Sequence, residues 1–221
     1  MMRGVRTIAV LGIALVLSSA PGCTYTVAGP TPPPVEPPAA NCPPRVEYGA
    51  GAVTFAWGSG KPTSSEIDTR LLSDDLVRAW KQRGYIVDAQ FVPEGSFSGH
   101  ADYIVTLSGS QRNETSFSML VLHALTLTLA PYWVTRHYDL QVTLEDVATA
   151  QRYGACVQGE DKTYVETLLL LALPFAHRGH RATAQRMGDH LYEQFHRQGA
   201  FRCTSEAPAA MSCSAADACA R

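Results

Sequence analysis

The sequence lacks most of the signatures that would name a chemistry. It has no Cys-x-x-Cys pair and no cysteine–histidine spacing that fits a zinc site, so neither a redox pair nor a zinc module is expected. Charge of one sign is missing too: 18 Lys+Arg stand against 20 Asp+Glu, a net charge of −2, and no basic stripe points to nucleic acid. No internal repeat is present. Gly58-Ser-Gly-Lys61 has Phe55 where a phosphate loop needs its first glycine, and Pro62 follows the lysine. Gly95-Ser-Phe-Ser-Gly99 has Phe97 where a nucleophile elbow needs serine. Both read as loops.

What is present begins at the N-terminus. Arg3 and Arg6 precede an uninterrupted apolar run, Thr7–Leu17, and then the small residues Ser-Ser-Ala-Pro-Gly. This is the layout of a secretory signal. The run is shorter than the roughly 20 apolar residues a helix needs to cross a bilayer. Residues 1–22 are therefore set aside as a signal peptide. Ala20-Pro21-Gly22 followed by Cys23 resembles the lipobox of bacterial lipoproteins, with Pro21 a departure from the usual small residue. In that family the signal is cut before the cysteine, which then carries acyl chains of the palmitate type. The resemblance implies lipidation of Cys23 and an anchor of several chains, enough to hold a protein stably. Thr24 after the cysteine, rather than Asp, resembles lipoproteins sorted to the outer membrane, where the domain would face the periplasm.

Removing the signal leaves about 200 residues, one domain of ordinary size with tails. Setting Cys23 aside leaves Cys42, Cys156, Cys203, Cys213 and Cys219. An exported chain lives where disulfides persist, so up to two bridges are expected, with one thiol over. Cys203, Cys213 and Cys219 crowd the tail, residues 201–221, and a local bridge is expected among them.

Residues 23–45 are rich in proline from Pro30 to Pro44. That density excludes helix and sheet pairing over Thr24–Pro44 and predicts a stiff spacer between lipid and domain. The domain is expected over 46–200. Val53, Phe55 and Trp57 alternate as a strand. Thr63-Ser-Ser-Glu66 has capping-box spacing, and Ile67, Leu71, Leu72, Leu76, Ala79 and Trp80 predict the buried face of the helix that follows, ended by Gly84. Strands are predicted over 85–92 and 101–108. The stretch 117–134 carries no charge, and Leu125, Leu127 and Leu129 make its second half strand-like. Tyr138, Leu140, Val142 and Leu144 alternate with polar residues, and a hairpin through 147–151 returns over 152–157. A second apolar run spans 167–175. A last helix over 181–198 places Ala184, Met187, Leu191 and Phe195 on one face. With few long crossovers, the order predicts an α+β fold: a mainly antiparallel sheet with helices packed on one side.

The strand ADYIVTLSG, the segment LTLTLAPYW, the strand YDLQVTLED and the run LLLLALPF resemble a pattern seen in uncharacterised bacterial envelope lipoproteins, over about a third of the chain. The resemblance implies an envelope location and a small α+β domain. It carries no catalytic residues.

His177, His180, His190 and His196 lack metal-ligand spacing, since the last two are six positions apart, which puts them on different helix faces, and Arg178, Arg181 and Arg186 oppose a cation. No metal and no cofactor are expected. Asp102, Asp139, Glu145, Asp146, Glu160 and Asp161 read as wet-face or turn carboxylates, with no two placed around a pocket. The expected function is a non-enzymatic, membrane-anchored envelope lipoprotein that binds or organises another envelope protein, its membrane contact made by the N-terminal lipid. One alternative is a subunit of an oligomeric membrane or export assembly that uses the apolar segments 117–134 and 167–175. A weaker one is an envelope hydrolase.

Overall fold

The computed structural model describes residues 23–28, 32–38, 42–49, 51–93, 96–126, 130, 132–166 and 178–201. Among these, the strands are β1 (Cys23–Ala28), β2 (Arg45–Tyr48), β3 (Ala52–Trp57), β4 (Thr63–Ser64), β5 (Asp88–Phe91), β6 (Tyr103–Glu114), β7 (Tyr132–Asp146) and β8 (Arg152–Glu166). The helices are α1 (Glu66–Arg83), α2 (Phe117–Leu125) and α3 (Arg178–Arg197).

The fold is α+β, and its single sheet is mixed rather than mainly antiparallel. The order is β1-β8-β7-β6-β2-β5. The pairs β1–β8, β7–β8, β6–β7 and β3–β4 are antiparallel, whereas β2–β5, β2–β6 and β3–β6 are parallel. The physical reason lies in α1. Parallel neighbours need a crossover, and α1 supplies one by carrying the chain from β2 and β3 over to β5. Strands β2 and β3 share one edge of β6: β2 lies on Tyr103–Val105 and β3 on Ser108–Asn113. Between them Gly51 has φ +68° and passes so close to β6 that a Cβ there would lie 1.8 Å from the Leu107 carbonyl oxygen, so no other residue fits.

One face of the sheet is buried under α1 and α3. Val105, Leu107, Leu140, Val142, Leu144 and Val157 meet Leu72, Leu76 and Trp80 of α1 and Met187, Leu191 and Phe195 of α3. The hairpin is as its alternation predicts but longer, because β7 and β8 continue for 15 residues each. Helix α3 buries Ala184, Met187, Leu191 and Phe195 as its spacing predicts. In α1 the inward stripe is Thr69, Leu72, Ser73, Leu76, Val77, Ala79 and Trp80, while Ile67 and Leu71 are exposed. At about 100° per residue Ile67 sits on the far side of the helix from Leu76. The cap also differs: Ser65 is the N-cap, accepting from the Asp68 N–H at 3.2 Å, because Thr63 and Ser64 are taken by β4 against β3.

Two expectations are overturned. Residues 24–28 do pair, as the edge strand β1 on β8. The prolines begin only at Pro30, so Thr24-Tyr-Thr-Val-Ala28 keeps every ladder donor. The proline segment beyond it is not a free spacer either: Pro32 is buried, and His190 Nε2 donates to the Pro33 carbonyl at 2.6 Å. Second, Leu125, read with Leu127 and Leu129 as part of a strand-like half, belongs to a helix over 117–125. Leu125 is its last residue, while Leu127 and Leu129 lie outside the described residues, as does the run 167–175.

Candidate functional site

Among the described residues nothing covers the other face of the sheet, and β6, β7 and β8 line an open groove there of about 470 Å³. Strand alternation decides what it contains. Residues whose neighbours in sequence point into the core must point out: Ser110, Arg112 and Glu114 from β6, His137 and Asp139 from β7, Gln158 and Glu160 from β8. The register sets them in rows, with Arg112 opposite His137 and His137 opposite Glu160, then Ser110 opposite Asp139 and Asp139 opposite Gln158. His137 is held between two carboxylates, Nε2 at 3.5 Å from Glu114 Oε2 and Nδ1 at 3.5 Å from Glu160 Oε2. Gly109 lets β6 approach here: its φ is +134°, and a Cβ would lie 2.2 Å from the Asp139 carbonyl oxygen.

The sequence reading placed no two carboxylates around a pocket. The sheet register does so with Glu114, Asp139 and Glu160, because residues 46 apart in sequence become neighbours across β6, β7 and β8. Ser110 and His137 line the same groove, yet no hydrogen bond joins them, and both His137 nitrogens face carboxylates. Nucleophilic catalysis needs a base within hydrogen-bond reach of the hydroxyl. What this arrangement does chemically is present alternating charge and hydrogen-bonding groups on one open surface.

Of the remaining carboxylates, Asp102 accepts from the Arg45 N–H at 2.7 Å, Glu145 pairs with Arg152 Nε at 2.7 Å, and Asp146 accepts from the Ala148 and Thr149 N–H groups of the hairpin turn. Asp161 departs from the wet-face expectation. It is fully buried on the helix-covered side, accepts from the Tyr138 hydroxyl at 2.9 Å and pairs with Arg136 Nε at 3.1 Å. Burial, reinforced by that carboxylate, pushes the Tyr138 hydroxyl well above its usual range. Periodicity missed this site because Arg136, Tyr138 and Asp161 come together only through the β7–β8 register.

Cys23 opens β1 opposite Glu166. Cys42 and Cys156 are both disulfide-bonded; the expected tail bridge among Cys203, Cys213 and Cys219 lies outside the described residues. Beside the Cys23 end stands α2, whose Phe117, Leu120, Val121, Leu122 and Leu125 are exposed, followed by exposed Trp133 of β7. His123 turns inward instead, donating from Nδ1 to the Ala130 carbonyl and packing edge-on against Tyr132 at 4.6 Å. No helix among the described residues is long and apolar enough to cross a membrane. No group of three metal-ligating side chains occurs among them.

No family model and no curated protein matches the chain. Among solved structures, it is similar to a DUF330 protein of Xanthomonas campestris, with 12% identity and a TM-score of 0.37 over 73% of this chain and 92% of that one. It is also similar to the PelC dodecamer of Paraburkholderia phytofirmans, with 15% identity and a TM-score of 0.35 over 79% of this chain and 97% of that one. A putative neuraminyllactose-binding hemagglutinin homolog of Helicobacter pylori gives 10% identity and a TM-score of 0.33 over 77% and 86%. At such values none of the three bears on what this chain does, and no specific named family is supported.

Proposed function

We propose that the chain is an envelope lipoprotein, anchored through Cys23 to the outer membrane and facing the periplasm, with a non-catalytic binding role. The observation that carries the binding role is the uncovered sheet face. Its groove sets Arg112, His137 and Glu160 in one row and Asp139 in the next, on a floor of three paired strands. A face so charged costs nothing to leave in water, and it recognises a polar partner by charge and hydrogen bonding, the terms that give specificity and register. The anchor is supported by the signal layout ending at Cys23.

Two measurements test this. Intact mass of the protein recovered from membranes, beside a Cys23→Ser variant, is expected to show a lipid-sized increment on the wild type alone; a wild type without it removes the anchor. A photo-crosslinking residue at Gln158 is expected to capture a partner that is lost when Arg112→Glu and Asp139→Lys are combined, with thermal unfolding little changed, since both residues are exposed and exposed polar substitutions usually shift stability by about 0.5 kcal/mol or less. Unchanged capture removes the groove. The hydrolase reading has one observation in its favour, Ser110 and His137 in one groove with carboxylates. Turnover of an envelope ester or glycan that disappears in both Ser110→Ala and His137→Ala would replace the binding role with catalysis.

A further inference from the structure

We propose that the sheet end carrying α2 and Trp133 is a membrane-docking face, seated in the interfacial layer of the same bilayer that holds Cys23. This rests on the anchor reading of Cys23 for its orientation.

Three observations converge. The first is composition against exposure. Phe117 and Leu125 are each 77% exposed, and Leu120, Val121, Leu122 and Trp133 lie between 37% and 45%. Scattered exposed apolar residues need no explanation, but a contiguous set on one helix does. Helix α2 carries no Asp, Glu, Lys or Arg, and its one titratable side chain, His123, is turned into the protein. A helix apolar all round belongs against other apolar matter. With nine residues it is too short to span a bilayer, so lying in the interface is the membrane geometry open to it.

The second is placement. β1 starts at Cys23, so no spacer separates the lipidated position from the sheet. Thr24 pairs with Val165, and Val165 pairs with Tyr132. Two strand spacings therefore set β1 and β7 about 10 Å apart at this end. Acyl chains leaving Cys23 would bring the bilayer surface to that same end, where α2 and Trp133 stand.

The third is aromatic chemistry. Trp133 is half-exposed beside Tyr164, ring centroids 6.3 Å apart, with Tyr132 next to it in sequence. Tryptophan and tyrosine favour the headgroup level, where one part of the ring is apolar and another hydrogen-bonds to water. A second copy of the chain would also cover an apolar helix, but it gives no reason for the helix to stand beside the anchor.

The test uses the full chain expressed with its own signal, purified from membranes and reconstituted into phosphatidylethanolamine–phosphatidylglycerol vesicles with or without bromine on the acyl chains. The protein has three tryptophans: Trp80 is fully buried, and Trp57 pairs with Asn113, itself opposite Arg136, which sets Trp57 three residues, about 10 Å, farther from the Cys23 end than Trp133. Brominated lipid is expected to quench the fluorescence, to lose that quenching in Trp133→Phe, and to keep it in Trp57→Phe. Val121→Glu with Leu122→Glu is expected to abolish quenching while the far-ultraviolet spectrum of the sheet is retained. Wild-type emission unaffected by brominated lipid overturns the proposal. So does a Trp133 shielded from both lipid and aqueous quencher in an oligomer that the two glutamates convert to a monomer, since the face would then be a self-interface. Intact mass on the same sample separates the two readings. Lipid present with Trp133 unquenched sinks the docking face alone; lipid absent with Trp133 quenched sinks the anchor and leaves the face standing.

Discussion

At the scale of single residues, the buried polar groups explain more than the apolar ones. Trp80 is fully buried, donates from Nε1 to the Gly188 carbonyl at 2.8 Å, and meets Phe195 and Phe201 edge-on. Trp80→Phe keeps most of the apolar volume and removes one hydrogen bond, while the Gly188 carbonyl keeps its acceptor role within α3, for an expected loss of about 0.5–1.5 kcal/mol; Trp80→Ala also opens a cavity and is expected to lose about 3–5 kcal/mol. Denaturant unfolding of both variants checks the ranking. Asp161 is the sharper case. Removing this fully buried carboxylate takes the acceptor from the Tyr138 hydroxyl and leaves Arg136, 25% exposed and still bonded to Thr163, without its ion partner, so the cost falls toward the lower end of the about 3–5 kcal/mol of a wholly buried pair. Asp161→Ala should thus unfold at markedly lower denaturant, whereas Asp161→Ala with Arg136→Met should recover part of the loss. The tyrosines set the alkaline limit. Burial first, then the hydrogen bond to Asp74, raises Tyr48 to about 12; burial raises Tyr103 to about 12 as well. Unfolded tyrosine ionises near pH 10. The unfolded state thus loses its protons first, so stability is full below about pH 10 and falls from there toward pH 12. Unfolding free energies measured across that window should decline, and less steeply in Tyr48→Phe with Tyr103→Phe.

At the scale of elements, local signals were legible and partnerships were not. The hairpin of β7 and β8, the helix stop at Gly84 and the buried face of α3 are all written in short-range periodicity, and each is present. The parallel pairings of β2 and β3 depend on which strand lies next to which, and no window of sequence carries that. Helix α2 shows the limit of periodicity directly: an apolar stretch satisfies helix and strand patterns alike, and the choice is visible only in the fold, where α2 ends at Leu125 and β7 begins at Tyr132. The groove was invisible for the same reason, since alternation says that Arg112, His137 and Glu160 face outward but only register sets them in one row. β1 was missed because the prolines after it dominated the composition. Its pairing makes a test. Successive N–H groups of an edge strand point to opposite sides, so of Tyr25→Pro and Thr26→Pro one removes a ladder bond to β8 and the other does not. The double variant should detach β1, and amide exchange at the β8 positions facing it, within 161–166, should accelerate by about tenfold or more, while amides facing β7 stay protected.

At the scale of the whole molecule, the sheet has three distinct surroundings. One face lies under α1 and α3 and forms the core; the opposite face is polar and open; one end collects Cys23, α2 and Trp133. If that end rests on the bilayer, the strands stand away from it and the groove is held at a definite height. His137 lies five residues along β7 from Tyr132, at most about 17 Å at the strand rise. Leu144 is eleven residues beyond Trp133, at most about 37 Å away by the same rise. A paramagnetic label on lipid headgroups acts steeply with distance, so the lipidated protein in nanodiscs should show a gradient along β7. Resonances of Tyr132–Val134 should broaden strongly, those around His137 less, and those of Leu144 and Tyr153 not at all. A molecule lying on its helices would broaden α1 and α3 instead, and one free to tumble on a tether would broaden all of β7 weakly and evenly. Either of those patterns would detach the groove from any fixed height. The partner it binds would then not have to reach the membrane surface.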